Sequence, residues 1–129
     1  MDDYLDAHER HWMDAELLYH NQRWANADHL YGISVECGIK ALMEAQGMNV
    51  PRQHLPTIAQ HVQSFQFGQQ GRHARIYQLP NLNAFNGWNM SQRYWNQAHI
   101  NRWLVQQRRQ QAEQMHNIIT QARRDGWIS

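Results

Sequence analysis

The stretch from Asn26 to Met48, NADHLYGISVECGIKALMEAQGM, constrains this chain more than any other. Wound as a helix, it aligns Leu30, Ser34, Cys37 and Ala41, with Ala27, Tyr31, Val35, Gly38 and Leu42 in the adjoining row, a three-and-four spacing that makes a wide apolar stripe. A helix of this kind is expected at the centre of the fold. Gly32 and Gly38 each weaken an interior helix by about 1 kcal/mol relative to Ala, a cost commonly offset by close packing, so a partner helix is expected across them. Glu36 and Lys40 stand four apart in the favourable order for an ion pair along one face. Asn26 reads as the cap and Gly47 as the end.

The rest of the chain supplies helices to pack on this one. Asp2 or Asp3 can cap a first helix running to about Asn21, with Leu5, His8, Trp12, Ala15, Leu18 and Tyr19 inward. The short link Gln22 to Ala25 makes the first two helices an antiparallel pair. After Pro51 and Pro56 a third helix carries Leu55, Ile58, Ala59, Val62 and Phe65. From Phe67 to Trp88 glycines and Pro80 interrupt the pattern, so irregular chain is expected, with helical turns near Arg72 to Leu79. A last long helix begins near Gln97 to Asn101 and ends at Gly126, with Ile100, Trp103, Leu104, Gln107, Gln111, Met115, Ile118, Ile119 and Ala122 inward and Arg108 and Arg109 on a solvated side. The expected fold is all-α, a single domain of four to five helices in an up-and-down bundle.

The 129 residues suffice for one modest core. Six Trp and five Tyr with a mean hydropathy of −0.84 suit aromatic-anchored helices under a polar exterior. No apolar run approaches the roughly 18 residues needed to span a bilayer, and MDDYLDAHER is acidic where a signal peptide is basic, so a cytoplasmic protein without membrane contact is expected. The lone Cys37 excludes an internal disulfide and reads as a small core residue.

The net charge of +1 hides a division. Residues 1–50 hold nine acids against three bases, whereas residues 51–129 hold two acids against nine arginines and no lysine. Either the halves attract one another or the C-terminal half meets a polyanion.

The string Leu30-Tyr31-Gly32-Ile33-Ser34-Val35-Glu36-Cys37-Gly38-Ile39-Lys40-Ala41-Leu42 resembles the second helix of HEPN domains, small helical domains that include ribonucleases and partners of nucleotidyltransferases. Near the start of the final helix, Arg93-Tyr94-Trp95-Asn96-Gln97-Ala98-His99 is similar to the Arg-x4-6-His motif of HEPN ribonucleases. The resemblance implies a metal-independent endoribonuclease of toxin or defence type, with His99 moving a proton and Arg93 stabilising charge on the phosphate. It also implies a homodimer with a composite site and an antitoxin or nucleotidyltransferase as protein partner. Orphan N–H groups at the helix start would favour a phosphate there. Tyr94 departs from the nuclease pattern, which commonly has a small polar residue. Trp88 to Tyr94, WNMSQRY, equally resembles HEPN proteins not known to cleave RNA, which leaves a noncatalytic nucleotide- or protein-binding accessory open.

Around this motif, Glu36, Lys40 and Tyr94 read as supporting residues, with Glu36 pairing Arg93 or else pinning two helices together. Arg72, Arg75 and Arg102 are the candidates for binding substrate. The run Gly71 to Tyr77 mixes cations with an aromatic ring, as a nucleic-acid contact does and as a solvated loop also can. His8 with His11 and Glu16 with His20 share helix faces, but no CxxC, HExxH or carboxylate cluster accompanies them, and no metal or cofactor is expected.

Overall fold

The computed structural model describes residues 1–68 and 75–129. It is mostly helical. Helix α1 spans Tyr4–His20, α2 Trp24–Ala45, α3 Thr57–Val62 and α4 Arg102–Arg124. Among the described residues no helix is long and apolar enough to cross a membrane.

Asp3 caps α1 by accepting the Asp6 N–H at 3.0 Å, which leaves His8 and Ala15 buried and Leu5, Trp12, Leu18 and Tyr19 packed at the edge of the core. Only three residues separate α1 from α2, and the pair is antiparallel: His8 meets Ser34, and further along α1 Glu16 meets Tyr31. Helix α2 begins two residues before the expected Asn26 cap. Its N-cap is Arg23, which gives no side-chain hydrogen bond to the first turn. At the other end Gly47 (φ 80°) reverses the chain, and the Met48 N–H donates to the Met43 carbonyl at 2.9 Å.

Helix α4 is capped by Asn101, whose Oδ1 accepts from the Trp103 and Leu104 N–H groups at 2.9 and 3.3 Å. Its buried line is Val105, Arg108, Ala112, Met115, Ile119 and Ala122, rotated from the expected one: Trp103 lies outside and Arg108 inside. The rotation follows from the carboxylate of Asp28, buried in α2, which requires a cation facing it. The long link 46–101 brings α4 back beside α2 in the same sense, with Asp28 opposite Arg108 and Gly38 against Met115. Helix α1 runs counter to both α2 and α4.

That link is less helical than expected. Helix α3 has six residues and leaves Phe65 exposed, and where helical turns were expected near Leu79 there is a strand. Strand β1 (Gln66–Gly68) pairs antiparallel with β2 (Ile76–Gln78), and Phe67 faces Tyr77 as the buried pair. The alternation exposed, buried, exposed over Ile76-Tyr77-Gln78 is the period of a half-buried strand. Tyr77 then donates to Asp125 at 2.5 Å and fixes the hairpin to the end of α4. Three short 3-10 turns follow, at Asn83–Phe85, Met90–Tyr94 and Gln97–His99.

Candidate nucleic-acid interface

Two contacts on α2 determine which way the 88–99 segment faces. Trp88 sets the N–H edge of its indole against Gly32, where an added Cβ would sit 2.0 Å from its Cε2, and its indole N–H donates to the Asp28 carbonyl at 3.2 Å. The expected partner across Gly32 was a helix; an indole occupies the place instead. Two turns along α2, Gly38 does meet helices on both sides, through His8 of α1 and Met115 of α4. Gln92 is also buried and donates to the Asp28 carboxylate. With Trp88 and Gln92 turned inward, the residues that follow them are turned out.

Arg93, Tyr94, Trp95 and His99 are accordingly all exposed. The Arg93 guanidinium donates to the Met90 carbonyl at 2.9 Å and lies over the Tyr94 ring at 4.6 Å. His99 closes the Gln97–His99 turn, two residues before the α4 cap rather than in the helix. Among the described residues no hydrogen bond joins Arg93 to His99. The imidazole that feels the Arg93 charge is His29 of α2: stacked on Trp88 and half-buried, it is held below its ordinary pKa first by burial and then by Arg93.

Glu36 does not support Arg93. Its carboxylate accepts from Lys40 at 3.2 Å, from His54 Nδ1 at 3.0 Å and from the Leu55 N–H at 3.1 Å, so it fastens the start of α3 to α2. The pair with Lys40 forms as the spacing predicts. Glu36 lies seven residues beyond His29 along α2, about 10 Å at 1.5 Å per residue, which separates it from the Arg93 end.

The phosphate-favouring helix end is also displaced from its expected position. Asn101 satisfies the first N–H groups of α4, whereas α2 starts without a side-chain cap or an acidic residue in its first turn. Beside that start is an open groove of about 550 Å³ lined by Trp24, Ala25, Asn96, Gln97, Ile100 and Arg102 among others. A second recess of about 240 Å³ adjoins it, sharing Ala25 and Gln97 and adding Arg23 and Trp95. Arg102, a predicted binding residue, lies over the Trp24 ring at 5.3 Å. Arg75 is exposed at the start of β2, and Arg72 falls outside the described residues.

The acidic and basic halves do meet. Asp28 pairs with Arg108 at 2.8 Å, Glu16 takes a forked contact from Arg109 at 2.8 and 3.1 Å, and Glu9 pairs with Arg123 at 2.5 Å. Arg108 and Arg109 are thus internal ties and not a solvated face. Burial pushes the Asp28 carboxyl up, opposed by Arg108 and Gln92, while Arg109 and Tyr31 hold Glu16 below its ordinary value against the effect of burial. Of the α1 histidines, His8 enters the core and His20 lies 3.6 Å from Glu16; among the described residues no group of three metal-ligating side chains forms. Cys37 is buried, and its thiol is pushed up to about 11 by that burial.

Sequence reasoning missed Asp28, Gln92, Trp88 and Trp24. A signal existed for Asp28, since a carboxylate beside Ala27 in an apolar helix demands a partner, and Val105, Ala112, Met115, Ile119 and Ala122 point to Arg108 at the same spacing. Compared with protein families, curated proteins and solved structures, the chain matches none of them.

Proposed function

We propose that this is a HEPN-like helical protein that binds single-stranded RNA, or a nucleotide as its smallest unit, along the face formed by residues 93–103 and the start of α2. One observation carries the reading. Tyr94, Trp95 and Trp103 are 77%, 46% and 66% exposed on an eleven-residue stretch that also holds Arg93 and Arg102. Large aromatic rings left in water beside guanidinium groups are the combination that stacks bases and tracks a phosphate backbone. The groove next to them supplies Asn96 and Gln97 amides, and the uncapped start of α2 adds a favourable field for an anion.

Arg93, Arg102 and Arg75 have no carboxylate partner within hydrogen-bonding distance among the described residues, in contrast with Arg108, Arg109 and Arg123. On the proposed face the polyanion reading attaches to Arg93 and Arg102. Binding rather than cleavage is favoured because Arg93 is engaged by Met90 and Tyr94 and, among the described residues, makes no hydrogen bond to His99. Cleavage through these two side chains would call for a second copy of the chain to bring them onto one phosphate.

The test is fluorescence anisotropy with a labelled twelve-nucleotide single-stranded RNA at 50 and 200 mM salt. Base stacking on an aromatic side chain contributes about 1–3 kcal/mol, so Trp95→Ala is expected to weaken binding roughly 5- to 160-fold. Arg102→Ala should reduce the log–log salt slope by about 0.7. RNA affinity unchanged in both variants would remove the proposal.

A further inference from the structure

At the opposite end of α2 from this face lies a cavity of about 580 Å³, within the size range of small-molecule sites. Its walls include Tyr4, Lys40, Val50, Pro51, Arg52 and His54. Lys40 is the informative member, because its side chain is only 10% exposed and yet lines this space. An ammonium carries three N–H donors. One goes to Glu36 at 3.2 Å, and the head lies 5.8 Å from the Tyr4 ring centroid, so donor capacity remains on the cavity side.

Glu36 fixes the rest of the arrangement from below. By accepting at His54 Nδ1 it holds the imidazole so that Nε2 is the nitrogen left for a ligand, and by accepting at the Leu55 N–H it holds the backbone that carries it. Its own charge is compensated by Lys40. Arg52, exposed at the mouth, has no carboxylate partner within hydrogen-bonding distance among the described residues. Asp2 is the acidic member of the lining, and it accepts from the Tyr4 hydroxyl at 3.3 Å.

An ammonium and a guanidinium, with an imidazole acceptor lining the same cavity, suit a ligand with several oxygens in three dimensions and a P–OH more than a planar carboxylate. Val50, Pro51 and the Tyr4 ring give the same cavity an apolar side for a short organic group. We propose that this cavity binds a small phosphate monoester, its phosphoryl oxygens held by the N–H donors of Arg52 and Lys40, its P–OH donating to His54 Nε2, and its organic portion lying on Val50 and Pro51. The site is separate from the RNA face and stands or falls independently of it.

The experiment is an NMR titration of the histidine imidazole signals with inorganic phosphate, phenyl phosphate and acetate, at constant pH and ionic strength. Phosphate should move the His54 signals along a saturable curve, phenyl phosphate should saturate at lower concentration, and acetate should leave them in place. Arg52→Ala should raise the Kd for phosphate at least tenfold while leaving the ligand-free Tm unchanged, since Arg52 is exposed. Arg102→Ala, in the other groove, should have no effect. A linear shift shared by acetate, or a Kd that ignores Arg52→Ala, overturns the proposal; so does a Kd that responds to Arg102→Ala alone, which would locate the phosphate on the RNA face.

Discussion

The Asp28 carboxylate and the Arg108 guanidinium meet at 2.8 Å inside the protein, eighty positions apart in sequence, and the same carboxylate receives Gln92. One acidic side chain thus ties α2 to α4 and to the segment that presents the exposed aromatic residues. Arg108 also donates to the Ala84 carbonyl at 2.8 Å, which draws in the turn at Asn83–Phe85. Removing one member of a buried pair leaves the other charge uncompensated, so Asp28→Asn and Arg108→Met should each destabilise the fold by about 3–5 kcal/mol. The double variant Asp28→Asn with Arg108→Met should be more stable than the sum of the two single losses predicts. Urea denaturation of the three proteins checks this, and purely additive losses would show that the pair is not coupled.

Gly32 and Trp88 make a second, purely steric prediction. With an added Cβ only 2.0 Å from the indole, Gly32→Ala cannot be absorbed by a small shift, and the backbone of α2 is not free to retreat. The indole should leave its site and take residues 89–95 with it. Hydrogen exchange at those amides should rise and the emission of Trp88 should move to the red, while the α1–α2 pair keeps its protection. Unchanged exchange over 89–95 would mean that Trp88 does not hold the segment.

His8 and His116 share a hydrogen bond of 3.1 Å between α1 and α4. The His8 Nδ1–H donates to the Ser34 carbonyl at 2.8 Å, so its Nε2 accepts from the His116 Nδ1–H, an arrangement that requires the His8 ring to be neutral. Burial lowers the His8 pKa to about 4, and burial lowers His116 as well. Because the folded value lies below the ordinary 6.5, the unfolded chain takes up a proton that the folded chain refuses as the pH falls between them. This contribution is complete above pH 6.5 and is lost toward pH 4. For His8 alone it amounts to about 2 kcal/mol between pH 7.5 and pH 5, a window in which most carboxylates stay ionised. Urea melts at pH 7.5, 6 and 5 should show that decline, reduced in His8→Asn; a flat profile in the wild type would contradict the assignment.

The helices and the caps at Asp3, Gly47 and Gly126 were legible in sequence because each rests on local spacing and local chemistry. The Glu36–Lys40 pair was legible for the same reason. What escaped depends on tertiary partners. The face of α4 could not be settled by periodicity alone, since Trp103 and Arg108 exchange their expected places only when Asp28 is known to be opposite. The β1–β2 hairpin consists of two three-residue strands, too short to establish a period. The motif Arg93 to His99 was visible as a string, but which of its side chains turn outward depends on Trp88 and Gln92 reaching α2 some sixty positions away.

Whether the proposed RNA face would also cleave its ligand is the most consequential expectation. A metal-independent cleavage needs an imidazole within reach of the 2′-hydroxyl or leaving oxygen and a cation on the same phosphate. Arg93 is bound to Met90 and covered by Tyr94, and the imidazole in its field, His29, has its ring stacked on Trp88 and its Nδ1 buried without a hydrogen-bond partner among the described residues. His99 stands on the separate turn Gln97–His99. The expected outcome is therefore retention without turnover: RNA incubated with the purified protein in EDTA stays intact, while anisotropy reports binding that falls with Arg93→Ala and is little altered by His99→Ala. Cleavage abolished by both substitutions would reverse this and imply that two copies of the chain assemble the site. Cleavage abolished by Arg93→Ala and His29→Asn, with His99→Ala still active, would instead place the proton transfer on α2.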